Sequence, residues 1–269
     1  MSETDKVFAG SIPALYEKYL GPLIFEPYAP DLADRLSDLQ EGHILETAAG
    51  TGIVTRALDR ALASQVRILA TDLNQPMLDH ASAQLSSPRV SWKQGNALSL
   101  PFEDASFDAV VCQFGVMFFP DRLAAYREVR RVLKPSGRFV FNVWDTIEQN
   151  EFADAVTNAV AALFPNDPPM FLARTPHGHH DIGTIRNELS STGFARVQID
   201  TVARRSRAAS HRDPAIGYCQ GTPLRNEIEA RDPGRLEEAT NAAAKEIAAR
   251  FGLGPVDGKI QAHAISVGR

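Results

Sequence analysis

Cysteine is nearly absent from this chain: Cys112 and Cys219 are the two in 269 residues. Two thiols make no disulfide framework, and without a CxxC pair or a Cys/His cluster at ligand spacing they make no zinc module. Cys112 lies inside an apolar run and reads as a small buried hydrophobe. Long apolar runs are missing as well; none approaches the roughly 20 residues that cross a bilayer. The opening MSETDKVFAG is too acidic and too polar for a signal peptide. Together these predict a cytoplasmic protein without stable membrane insertion. An excess of positive charge is lacking too. The net charge of −5 argues against a dedicated nucleic-acid binder, which carries a basic face. The local basic groups (Arg127, Arg130, Arg131 and Lys134; Arg204, Arg205 and Arg207) adjoin apolar segments and read as solvated faces. No constellation of nucleophile and base stands out anywhere.

What is present is an ordinary globular composition, 44% hydrophobic and 23% charged, enough to bury a full core. Strand and helix patterns alternate through the first half, as in a parallel sheet covered on both faces. His43 to Ala49 is an apolar run ending in a glycine turn, and Thr51 to Ala63 follows as a helix. Arg67 to Asp72 is a second strand, followed by a helix from Pro76. Val90 to Gln94 alternates as a strand, and Phe107 to Phe114 is almost continuously apolar, as a strand buried on both faces should be. Asp121 to Leu133 has helical spacing (Leu123, Tyr126, Val129, Leu133), ended by Pro135-Ser136-Gly137 before a strand at Arg138 to Trp144. Beyond it come a helix over Glu151 to Leu163 and a proline-rich stretch, PNDPPMF. Ile182 to Ser191 reads as a helix stopped by Gly193, and Ala195 to Ala203 as a strand. Helices are predicted near Pro214 to Cys219 and over Arg225 to Phe251, and a last strand over Ile260 to Val267. With no repeat and no low-complexity linker, a single α/β domain over 1–269 is expected. It comprises an N-terminal helical segment (1–40), a core (41–145) and cap insertions near 145–180 and 210–250.

The segment Ile44-Leu45-Glu46-Thr47-Ala48-Ala49-Gly50-Thr51-Gly52 carries the most chemistry. Glycines directly after a strand and opening a helix let backbone approach a ligand, with helix N–H groups aimed at it. A tight turn with no ligand is the plain alternative. A dinucleotide site is another, but its GxGxxG fingerprint fails at Thr55, where close helix–strand packing calls for glycine. Glu46, an acid just ahead of the turn, suits a cationic group such as an ammonium. Asp72, at the end of the second strand, can accept both hydroxyls of a ribose.

These stretches, with ATDLNQPMLDHA, QGNALSLPFEDASFDAVVCQFGVMFFPD and EVRRVLKPSGRFVFNVW in that order, resemble the class I methyltransferases, in particular the branch that holds ubiquinone and menaquinone biosynthesis enzymes. The resemblance is close over about residues 40 to 145. It implies a doubly wound, mostly parallel, Rossmann-like seven-stranded sheet whose last strand is antiparallel, with helical cap insertions, and S-adenosyl-L-methionine as the cofactor, released as S-adenosyl-L-homocysteine. By position it implies that Glu46, Ala48, Gly50 and Gly52 lie beside the methionine part and that Asp72 holds the ribose. Leu73 and Met77 would flank the adenine, Asn96 and Ala97 would meet its amino group, and Gln113 and Phe114 would face the methionine and the acceptor. Tyr16, Tyr19, Phe118 and His180 are candidates for a lid. Glu46 stands where Asp is commoner, Ala48 replaces a glycine, and Asn96 replaces an Asp.

Methyl transfer from a sulfonium is an in-line displacement that needs alignment more than acid–base chemistry. A hydroxyl or carbon-acid acceptor would add the need for a base. His177, His179 and His180, in TPHGHHD, are candidates, although that spacing fits no zinc site and Asp181 reads as the N-cap of the next helix. A plain loop is the ordinary reading of those histidines, and no metal is expected. The expected protein is a small-molecule methyltransferase, monomeric or homodimeric, without a nucleic-acid partner. A non-catalytic cofactor-binding protein and a nicotinamide oxidoreductase are the alternatives.

Overall fold

A computed structural model describes residues 12–269, apart from the side chain of residue 13. The opening decapeptide, read above for its polarity, lies outside the described residues. The chain divides into two compact units. The first comprises Tyr28–Val143, His179–Val202 and Ala262–Arg269; the second, in its described part, comprises 12–27, Trp144–Gly178 and Ala203–Gln261.

In the first unit, β1 (Glu41–Glu46), α1 (Ile53–Ala61), β2 (Gln65–Asp72), α2 (Gln75–Gln84), β3 (Val90–Gln94) and β4 (Phe107–Gln113) alternate as the hydrophobic pattern requires. They are followed by α3 (Arg122–Val132), β5 (Leu133–Trp144), α5 (Ile182–Ser191, with α4 assigned below to the other unit) and the two long strands β6 (Ala195–Ala208) and β7 (Val256–Gly268). Among the described residues the strands form one seven-stranded sheet in the order β3-β2-β1-β4-β5-β7-β6. β1 pairs in parallel with β2 and β4, β2 with β3, and β4 with β5. β7 runs antiparallel: Arg269 N–H bonds to Gly137 C=O at 3.0 Å and Asp145 N–H to Gln261 C=O at 3.0 Å, so numbers fall on one strand as they rise on the other. β4 is buried from Ala109 through Cys112, which accounts for its unbroken apolar sequence. Phe139 and Phe141 stack at 4.5 Å, and Tyr126 of α3 lies over both.

Of the boundaries that differ from the expectation, three have a local cause. β1 ends at Glu46 rather than Ala49, because Ala48 is left-handed (φ 53°) and cannot continue a strand. Pro135-Ser136-Gly137 does not separate α3 from a strand at Arg138; β5 already begins at Leu133. Leu133 pairs with Phe107 and Arg138 with Ala109, so the surplus residues bulge out of the ladder. A bulge is where a proline without an N–H can sit in a sheet. The start of α3 is as the sequence suggests, with Asp121 Oδ1 accepting Ala124 N–H at 2.9 Å.

The second unit is helical apart from the strand ends that continue into it. It holds α4 (Glu151–Leu163), α6 (Arg212–Gln220), α7 (Leu224–Arg231), α8 (Leu236–Phe251), the short helix Phe171–Arg174, and a helical run over 12–25 whose Tyr16–Phe25 part is widened into π-type turns around Pro22. The third boundary difference lies here. One helix was expected over Arg225 to Phe251, and two form. Pro233 forces the preceding Asp232 into extended backbone (φ −157°, ψ 107°), which ends α7. α8 packs on α4, where Phe152 meets Phe251 edge-on at 4.9 Å, and Arg235 lies 4.8 Å over the Phe164 ring. No helix among the described residues is long and apolar enough to cross a membrane.

Candidate functional site

The carboxyl ends of β1, β2 and β4 meet in the first unit where the strand order reverses, β1 having β2 on one side and β4 on the other. Open α/β sheets bind ligands at such a switch point. The loop after β1 is pinned from both sides. Thr47 N–H bonds to Val111 C=O on β4 and Ala49 N–H to Thr71 C=O on β2, each at 2.9 Å. Three of its residues are left-handed, Ala48 (φ 53°), Gly50 (56°) and Gly52 (79°). A Cβ on Gly52 would lie 2.9 Å from the Trp92 ring and 3.0 Å from Ala81 Cβ, so this glycine answers both to backbone and to space. At Gly50 a Cβ would meet nothing within 4 Å, so open space lies in front of that turn. α1 starts at Gly52 without a side-chain cap, and the buried Thr51 hydroxyl has no hydrogen-bond partner among the described residues. A helix start with uncapped N–H groups, an open cradle and a buried unsatisfied hydroxyl has the capacity to receive polar groups of a ligand.

Two buried carboxyl groups flank the loop. Glu46 is 1% exposed and its Oε2 accepts the Thr55 hydroxyl at 2.6 Å. Burial pushes it up to about 8; the Thr55 bond opposes that shift and the neighbouring Asp72 charge adds to it. Asp72 is also raised, by burial, against hydrogen bonds from Asn74 and Gly50. Its Oδ2 accepts Gly50 N–H at 2.9 Å, and its Oδ1 accepts the backbone N–H (2.8 Å) and side-chain amide (3.3 Å) of Asn74. Three donors on two oxygens leave lone-pair capacity for a ligand hydroxyl. Thr55, noted in the sequence only as a missing glycine, is therefore the group that holds Glu46.

The remaining expected residues are placed as follows. After Asp72 come Leu73, 49% exposed, and Met77, buried on α2. Asn96 is exposed and its Oδ1 already accepts Leu98 N–H at 3.0 Å, which leaves one lone pair of the oxygen offered above to an amine; Ala97 is half-buried. Gln113 ends β4 half-buried, opposite Asn142 of β5. Phe114 turns left-handed (φ 51°) with its ring edge-on to Tyr28 at 5.4 Å, and Phe118 is half-buried in the short turn Val116–Phe118. Tyr16 and Tyr19 belong to the other unit, where Tyr16 stacks on Phe25 at 4.8 Å and the Lys18 ammonium lies 4.8 Å over Tyr19.

The histidines lie in a loop, and two of the three are buried. His177, in the second unit, has its Nδ1 2.8 Å from Asp145 C=O. His179, in the first unit, has its Nε2 3.4 Å from Glu188, which Arg122 grips with two nitrogens. Burial lowers His179 to about 4; Arg122 adds to that and Glu188 opposes it. His180 beside it is half-buried. Among the described residues no group of three or more His, Cys, Asp or Glu is placed to hold a metal ion.

The departure at Ala48 has a measurable consequence. Alanine in left-handed backbone costs about 1 kcal/mol relative to glycine. Ala48→Gly is expected to raise the melting temperature by about 2 °C, as read by differential scanning calorimetry. A lower melting temperature would show that the methyl group's packing outweighs the backbone strain.

Known proteins are similar to this chain in sequence and in fold. The family described as "Methyltransferase domain" matches residues 45–141. The demethylmenaquinone methyltransferase of Lactococcus lactis is 38% identical over 109 residues, 39% of this chain and 43% of that protein. The ubiquinone/menaquinone biosynthesis C-methyltransferase UbiE of Paracoccus denitrificans is 31% identical over 184 residues, 62% of this chain and 72% of that protein. The chain thus spans 43% of the length of the first of these relatives. In fold it is similar to the YcgJ protein of Bacillus subtilis (TM-score 0.59, 21% identity, 90% of this chain and 98% of that one). It is also similar to a phosphoethanolamine N-methyltransferase of Haemonchus contortus solved with S-adenosyl-L-methionine (TM-score 0.63, 14% identity, 100% of this chain and 60% of that one).

Proposed function

Because the chain belongs to the class I S-adenosylmethionine-dependent methyltransferases, we propose that it methylates a small molecule by in-line displacement, with a quinone-type ring carbon as the acceptor class that its relatives suggest. The observation that carries the cofactor half is the pinned loop between Glu46 and Gly52, with Asp72 tied to it through Gly50. The residues present fit that cofactor. The spare capacity on Asp72 suits ribose hydroxyls, Glu46 suits the ammonium, and the open face at Gly50 with the Thr51 hydroxyl suits the polar methionine end. Leu73 and Met77 would flank the adenine, Asn96 and Ala97 its amino group, and Gln113 with Phe114 the side from which an acceptor approaches. When bound, the cofactor supplies a methyl group already activated on a sulfonium. The protein's own part is alignment and exclusion of water, effects worth up to about 7–11 kcal/mol when reacting groups are held in place.

From Gln113 to Pro120 the chain carries no ionisable side chain, which suits an apolar, uncharged acceptor surface. A carbon acceptor also needs a proton removed after or during transfer, and we assign His180, a half-buried histidine of the first unit, to contact with such an acceptor. Calorimetric titration with S-adenosylhomocysteine and, separately, NADH tests the cofactor reading. Binding of the former is expected, and binding of NADH alone would overturn it. Turnover across a panel of phenols, quinols and amines tests the catalytic part. Cofactor-product binding without turnover of any panel member would turn the reading toward a non-catalytic binding protein.

A further inference from the structure

Asn142 lies on β5, across the sheet from the end of β4, and is 1% exposed. Its Oδ1 accepts the backbone N–H of Phe114 at 2.9 Å, while its own C=O lies 3.3 Å from the same N–H. That N–H belongs to a residue in unfavourable backbone. Phe114 is left-handed, a region that costs a bulky L-residue about 1–3 kcal/mol and persists only when the surroundings over-determine it. The surroundings here can be named. The Phe114 ring is held edge-on by Tyr28, whose hydroxyl is itself anchored to Val202 C=O at 2.9 Å. The next residue is Gly115, where a Cβ would come within 2.5 Å of Ala48 Cβ and 2.7 Å of Cys112 Sγ. The left-handed turn after β4 therefore abuts the left-handed turn after β1, with no room between them. The two turns are in close contact, so a shift of one bears on the other, and the Asn142 amide supplies a side-chain hydrogen bond to the β4 turn beside those that the Cys112 sulfur accepts from Gly115 and Val116.

We propose that Asn142 is a positioning residue for the cofactor site: it fixes the turn at Phe114, and through the Gly115–Ala48 contact it fixes the loop that meets the methionine end. The proposal rests on the cofactor reading above, because it concerns how well that loop is pre-formed. A loop held before binding loses less freedom on binding, and this is how a residue that never touches a ligand changes affinity. An ordinary buried polar residue would behave differently, since its loss would lower stability without depending on the backbone of Phe114.

A double-mutant cycle separates the two. Asn142→Leu removes the closer, side-chain acceptor at similar volume, leaving the longer bond to the backbone C=O, and is expected to weaken S-adenosylhomocysteine binding at least tenfold. Amide exchange at Phe114, read by mass spectrometry, should accelerate with it. Phe114→Gly occupies left-handed backbone without strain, so in that background Asn142→Leu is expected to cost threefold or less. Additive effects in the two backgrounds, or unchanged affinity in the single variant, would overturn the proposal. Asn142→Asp keeps an oxygen acceptor at the same place and should keep Phe114 protected. Should the leucine variant fail to fold, Asn142→Ser carries the same expectations and the same overturning results. Failure of the wild-type protein to bind S-adenosylhomocysteine would sink the cofactor reading instead. Phe114 exchange and melting temperature in the variants would still decide whether Asn142 holds the turn.

Discussion

Asp72→Ala is expected to weaken S-adenosylhomocysteine binding about 100-fold while the sheet stays folded. The carboxylate contributes twice. It has capacity left for ribose hydroxyls, and hydrogen bonds to a charged group are worth about 1.5–3 kcal/mol each. It also ties down the loop, through Gly50 N–H at 2.9 Å, so its loss frees the turn that must meet the rest of the ligand. A 100-fold loss corresponds to about 2.7 kcal/mol, near the lower end of what those two effects supply together. Stability should change little by comparison. Burial holds the Asp72 carboxyl above its usual range, so removing it relieves a desolvation cost while giving up the bonds from Gly50 and Asn74. Asp72→Asn retains an acceptor without the charge and should fall between wild type and alanine. Isothermal calorimetry together with a thermal melt reads both quantities. Unchanged affinity in the alanine variant would show that the ribose lies elsewhere, and lost affinity with a collapsed melt would show that Asp72 is structural only.

The parts of this site that could be read from the sequence are those whose partners lie nearby in the chain or whose residue type is itself a constraint. Gly50 and Gly52 announce left-handed backbone because glycine tolerates it, and Asp72 stands at the end of a recognisable strand. The residues that complete the site act across the sheet instead. Asn142 meets Phe114 over a separation of 28 residues, and Gly115 matters because of Ala48, a neighbour that only the pairing of β1 with β4 creates. Thr55 carried a legible signal, a hydroxyl one helical turn into α1, but its partner Glu46 lies on the preceding strand, so its meaning depended on the fold. The same limit explains the burial of His177 and His179, whose neighbours Asp145 and Glu188 only the fold places beside them. The break between α7 and α8 is a different case. Asp232-Pro233-Gly234 is a plain stop signal, and the alanine-rich periodicity around it masked the signal.

Cofactor-product affinity is expected to rise about tenfold for each pH unit from 6 toward 8, and Glu46→Gln should remove most of that slope. The carboxyl of Glu46 is pushed up to about 8, chiefly by burial, with Asp72 raising it further and the Thr55 bond and Arg56 opposing. At pH 6 it is therefore almost entirely neutral in the free protein, and only its ionised form attracts an ammonium. Apparent affinity follows the fraction in the competent form, and that fraction grows tenfold per unit until the group is ionised. Binding then releases a proton, so the calorimetric enthalpy should vary with the ionisation enthalpy of the buffer. The stability of the unliganded protein runs the opposite way. A carboxyl whose folded value lies above its unfolded one contributes stability that is complete below about 4.5 and lost as pH rises through about 8, at about 1.4 kcal/mol per unit. His179, held down at about 4, acts with the reverse sign between 4 and its unfolded value of 6.5, so the two nearly cancel in mild acid. Above pH 6.5 His179 no longer opposes, and the raised carboxyls Glu46 and Asp72 act with the same sign. The melting temperature of the free protein should fall from pH 6.5 to 8, and saturating S-adenosylhomocysteine should reverse that trend. Affinity that stays flat between pH 6 and 8, with no buffer-dependent enthalpy, would show that Glu46 is not the partner of the ammonium.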